Sequence, residues 1–127
     1  MKSKRVRSSM ELIDFWSIPH FLFGSVTALI ASVFALPSVT MFISTFVLAV
    51  FWELFEFRSH IIESMRNRVT DILYPLIAFP MTYIFAQNAV NDHHRRISLL
   101  AIVSIIFFYI NYMAWKARFE HDGDFAN

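Results

Sequence analysis

VTMFISTFVLAVFWELFEFRSHIIE, residues 39–63, decides the fold. From Val39 to Phe57 the run is apolar enough, and lacks the polar alternation of a strand, so it reads as a helix. A helix rising about 1.5 Å per residue needs roughly 17–25 apolar residues to cross about 30 Å of hydrocarbon, and this segment meets that length. Its far end carries Glu53, Glu56, Arg58, His60 and Glu63. A segment built for lipid therefore ends in charge, and those charges need a reason.

Three more runs of the same kind flank it: one between Pro19 and Pro37, one from Val69 to Ala86, and one from Ile97 to Trp115. The composition agrees, because 57% of the 127 residues are hydrophobic, 15 are phenylalanine and only 2 are glycine. In water such a chain would expose large apolar patches. A barrel would need more strands than this length supplies. The expected fold is all-α: a polytopic membrane protein of four transmembrane helices in a small bundle, occupying residues 18–117. A basic segment (1–17) and a polar tail (118–127) flank the bundle. The net charge of +1 gives no concentrated basic surface, so no nucleic-acid partner is expected. The absence of cysteine excludes disulfides and thiolate metal sites.

The first two spans are separated only by Pro37 and Ser38, which predicts a tight antiparallel hairpin with Ser38 as the N-cap of the second helix. Lys2, Lys4, Arg5, Arg7, Arg58, Arg66, Arg68, Lys116 and Arg118 all fall on one side of this topology, against Arg95 and Arg96 on the other. The positive-inside rule then places both termini in the cytoplasm, in a multi-pass protein of the cell (inner) membrane. Val33-Phe34-Ala35 also resembles a signal-peptide cleavage site, but the apolar run is long for a signal and Leu36-Pro37 is a poor cleavage context. Ser8-Ser9-Met10-Glu11 has capping-box spacing, and Leu12, Ile13, Phe15 and Trp16 suit a short interfacial helix.

The third span contains Pro75 and Pro80, each of which removes a helix hydrogen bond; it should kink and pack inside the bundle, where a cavity beside it is one alternative and a simple kink the other. Asn67 or Thr70 would cap its start, beside Asp71. The fourth span, with Asn111, Tyr109, Tyr112 and Trp115 near its inner end, reads as structural. His93 and His94 in the 88–96 loop are adjacent with no further ligand close in sequence, so a solvated outer loop is expected there.

If the second helix continues past Phe57, Glu53, Glu56, His60 and Glu63 share an arc of about 80°, with Arg58 on the far side. Interfacial placement accounts for Arg58, His60 and Glu63. Glu53 lies more than a turn inside the boundary that Arg58 marks, and an intramembrane acid costs roughly 2.5–3.5 kcal/mol at mid-helix, so it needs an internal partner. His20, opening the first helix, and Asp71, opening the third, stand at the same depth. Separately each has an ordinary explanation, His20 in the headgroups and Asp71 as a first-turn acid. Together His20, Glu53, Glu56 and Asp71 form a candidate polar cluster on three helices, with Gly24 allowing close approach.

His20 and Gly24, then Glu53-Leu-Phe-Glu56, then Arg68-Val-Thr-Asp71 resemble the VanZ-like small membrane proteins, over roughly residues 15–115. The chain departs from that pattern at Glu56, where glutamine is common, and at Pro75 and Ala78, where an asparagine and a glycine are usual. The resemblance implies a four-helix membrane protein with a polar cluster near one face, in a cell-envelope setting and without a settled reaction. Two functions remain open. In one, the cluster binds a lipid or envelope-precursor headgroup, either through a divalent metal held by Glu56 and His60 with Glu53 and Asp71, or with Glu53 as proton acceptor beside His20. In the other, the protein is a non-enzymatic homo-oligomeric subunit (a pore, a holin-like protein or an assembly partner) whose acids line a vestibule or bind another chain.

Overall fold

The computed structural model describes residues 17–59 and 64–121, without the side chains of residues 118, 120 and 121. It is all-helical there: α1 Ser17–Val33, α2 Ser38–Arg58, α3 Met65–Ala89 and α4 His93–His121. Three of these helices, α2, α3 and α4, are long and apolar enough to cross a membrane. α1 is a shorter apolar helix of 17 residues, about 25 Å at a helical rise.

The packing is inverted relative to a water-soluble bundle. The buried residues are mainly small or polar: Ser25, Thr27, Ala28, Ala31 and Ser32 of α1, Thr45 and Ala49 of α2, Ala78 and Ala86 of α3. Large apolar side chains such as Phe46, Phe51, Leu54, Phe55, Ile77 and Phe108 point outwards. Lipid tails solvate such side chains as well as a protein core would, so the close backbone approach that small residues permit holds the bundle together.

α1 is the central element and packs on all three other helices. The Thr45 hydroxyl of α2 donates to Thr27 of α1 (2.8 Å), and Thr27 donates to the Gly24 carbonyl (3.0 Å). Thr82 donates to Ser25 (2.9 Å) and Gln87 to Ser32 (3.3 Å), joining α3 to α1. The order of these pairs makes α1 antiparallel to α2 and parallel to α3, while Phe23 against Phe107 and Trp52 against Trp115 set α4 antiparallel to α1. The starts of α1 and α3 and the ends of α2 and α4 thus share one end of the bundle.

Local signals explain the element ends, not always as the sequence suggested. α1 closes with Ala35 in the left-handed region (φ 51°) and Leu36 donating back to the Ala31 carbonyl (2.9 Å), a Schellman-type stop. Pro37, not Ser38, occupies the N-cap position of α2, with no side-chain cap, because Ser38 has already entered the helix. Ser64, rather than Asn67 or Thr70, caps α3 by accepting from the Asn67 amide (3.2 Å). The 88–96 loop is mostly helical: α3 runs to Ala89 and α4 starts at His93, with Asp92 accepting from the His94 amide (3.1 Å). The expected interfacial segment before Ser17 lies outside the described residues.

Pro75 and Pro80 both sit inside α3 without ending it. Pro75 is buried against α1 at Gly24, where an added Cβ would stand 2.6 Å from Pro75 Cα and press on its carbonyl. The proline face of α3 makes the tightest helix contact here, and the groove described below lies on the other side of α1.

Candidate functional site

The stripe that buries α2 runs Thr45, Ala49, Glu53, Glu56, at steps of four, four and three. These are the intervals of one helical face, so the acids continue the face that begins with a threonine and an alanine packed on α1. Glu53 and Glu56 are 5% and 3% exposed, too little for carboxylates reaching towards headgroups. α3 presents Asp71 in the same way, one turn before Pro75 on its buried face, and Asp71 is 2% exposed.

His20 of α1 meets both. Its Nε2 lies 3.8 Å from Asp71 Oδ2 and 4.0 Å from Glu53 Oε1. The Gly24–Pro75 contact sets this spacing, since Gly24 is one turn beyond His20 and Pro75 one turn beyond Asp71. Three helices thereby bring His20, Glu53 and Asp71 together, each offering one ligand atom within 4.8 Å of the others.

Glu56 is buried one turn further on, where its Oε1 accepts from Trp52 Nε1 (3.2 Å). The indole ring also meets Trp115 of α4 edge-on, with centroids 6.1 Å apart. Arg68 lies over the Phe57 ring (4.7 Å), tying the start of α3 to the end of α2. The sequence grouped Glu56 with His60 as metal ligands; α2 ends at Arg58 with Ser59 as its C-cap, and His60 and Glu63 lie outside the described residues.

Two nitrogen or oxygen ligands at about 2.0–2.2 Å from one ion stand at most about 4.4 Å apart. The two His20 separations fall inside that reach, and the full set closes with movements below an ångström. One imidazole and two carboxylates from separate helices suit a divalent first-row ion such as Mn2+ or Zn2+, with coordination positions left for water or an outside oxygen ligand.

A groove of about 270 Å3 adjoins the cluster between α1, α2 and α4. Phe23, Leu48, Ala49, Trp52 and Phe107 give it apolar walls. His20 and Asn111 supply its polar groups, and Asn111 Nδ2 donates to the Phe107 carbonyl (2.9 Å), which leaves the amide oxygen as its acceptor. Asn111 and Trp52 were missed as site residues in the sequence. Their signals were an amide inside an apolar span and an indole one turn before a buried acid.

Fold and site together define a small all-helical protein with membrane-length apolar helices and a buried histidine–carboxylate centre at one end. No protein-family model, curated protein or solved structure matches the chain. The VanZ-like resemblance accordingly rests on the motif residues His20, Gly24, Glu53, Glu56, Arg68 and Asp71.

Proposed function

We propose that this is a four-span, VanZ-like membrane protein whose His20–Glu53–Asp71 centre binds a divalent cation and, through it, the headgroup of a lipid or envelope precursor. Both termini and the centre face the cytoplasm, as the basic residues on that side favour. The observation that carries the reading is the convergence of His20, Glu53 and Asp71 from three helices onto one buried point. Buried acids at this depth are costly, and a cation held between them offsets that cost while leaving coordination positions for a phosphate or carboxylate oxygen. As an oligomeric subunit the protein would turn the acids towards a vestibule or a second chain. Their burial by helices of the same chain favours an intrachain site.

The test is a Mn2+ titration of the full chain in nanodiscs, read by electron paramagnetic resonance, with His20→Ala, Glu53→Gln and Asp71→Asn alongside. The expected result is one saturable ion per chain, lost in each variant while the helical circular dichroism is kept. Saturable binding that survives all three substitutions would sink the reading.

A further inference from the structure

The groove has the geometry of a side entrance. Its floor is α1 and its walls are α2 and α4, which do not pack on each other along their length. Past Leu48 and Trp52, 52% and 39% exposed, it opens sideways at the depth of the apolar spans. In the bilayer, whatever enters by that route comes from the lipid phase rather than from water. Towards the shared end of the helices, Trp52 and Trp115 meet across α2 and α4.

His20 belongs to both features: it lines the groove, and its Nε2 faces Glu53 and Asp71. An occupant lying along the groove thus has its apolar part against Leu48, Ala49 and Phe107 and its polar end against His20 and Asn111. Charge selects the polar end. Arg58, Arg66, Arg68 and Lys116 lie at this same end of the bundle, and Lys116 directly follows Trp115. With a divalent ion at the centre, this basic collar complements an anionic headgroup.

We infer that the groove holds one acyl chain of an anionic phospholipid whose phosphate reaches the cation at the His20–Glu53–Asp71 centre. This inference rests on the cation reading proposed above and adds the ligand class and its route of entry. Leu48 lines the wall, half-exposed and away from the centre, so a bulkier side chain there blocks the chain and spares the ion.

The experiment uses the full protein, loaded with Zn2+, in nanodiscs of phosphatidylcholine containing dilute phosphatidylglycerol. Lipid retained per chain is counted by native mass spectrometry, and Zn2+ affinity is measured separately by calorimetry. Wild-type protein retains phosphatidylglycerol in preference to phosphatidylcholine, and chelation releases it. Leu48→Trp and Leu48→Phe, each crowding the half-exposed wall and denying burial to a few methylenes, cut retention, the tryptophan roughly tenfold, with Zn2+ affinity unchanged. Leu48 is half-exposed, so both substitutions leave the helix packing in place. Retention unaffected by the groove substitutions, equal retention of both lipids, or displacement by millimolar inorganic phosphate each overturns the inference while leaving Zn2+ binding intact. Failure of the cation reading shows differently, as no Zn2+ uptake by the wild type.

Discussion

Gly24→Ala perturbs the contact that sets the site. The new Cβ would stand 2.6 Å from Pro75 Cα, where ordinary van der Waals contact begins at 3.4 Å, and both neighbours are backbone that cannot swing aside. The carbonyl oxygen is closer still, so the helices must part by at least about 0.8 Å at that level, an overpacking strain of roughly 1–3 kcal/mol. Alanine recovers about 0.8–1 kcal/mol of helix propensity, so a net loss of about 1–2 kcal/mol is expected. One turn away, the 3.8 Å between His20 Nε2 and Asp71 Oδ2 widens. The centre must then close over a longer distance, working against the parted helices, and divalent affinity should fall about 10-fold. Thermal unfolding by circular dichroism and Mn2+ titration of the same sample measure both effects. A Gly24→Ala protein as stable as the wild type, with unchanged ion affinity, would refute the claim that this contact positions the centre.

Other substitutions test other parts. Thr45→Val removes the α2 donor to Thr27 and should cost about 1 kcal/mol of unfolding free energy with ion binding unchanged. Ala35→Gly relieves a left-handed alanine and should stabilise the α1–α2 turn by roughly 1 kcal/mol, seen as a higher unfolding midpoint. Trp52→Phe deletes the hydrogen bond to Glu56 while keeping an aromatic wall; a loss of about 1–2 kcal/mol in stability is expected, and no loss would mean that the bond contributes nothing. Cysteines placed at Arg66 and Asp92 should react with impermeant reagents from opposite sides of the membrane, the former from the cytoplasm; labelling from the same side would contradict the topology.

The runs between the prolines and charges showed the helices because long apolar segments announce themselves, although α1, at 17 residues, falls short of the membrane length of the other three. Glu53 stood out because Arg58 marked a boundary that it had already passed. Its partners His20 and Asp71 were reachable by depth, since an up-and-down chain returns to the same face at each second helix. The end of α2 was not legible: Ser59 caps it, an ending that the 3.6-residue period alone does not announce. Pro75 read as a kink beside a cavity, whereas its backbone seats against Gly24, a match visible only when two helices are brought together. The groove eluded the sequence for the same reason. Leu48, Phe107 and Asn111 come from separate spans, and nothing in one span's pattern says which other span it fails to touch.

The most direct measurement is the anomalous scattering of Mn2+-soaked crystals of the protein in lipid. A single peak within bonding distance of His20 Nε2, Glu53 and Asp71 is the result this account predicts. Ordered side chains at those three residues with no peak between them, or a peak seated elsewhere, would contradict it.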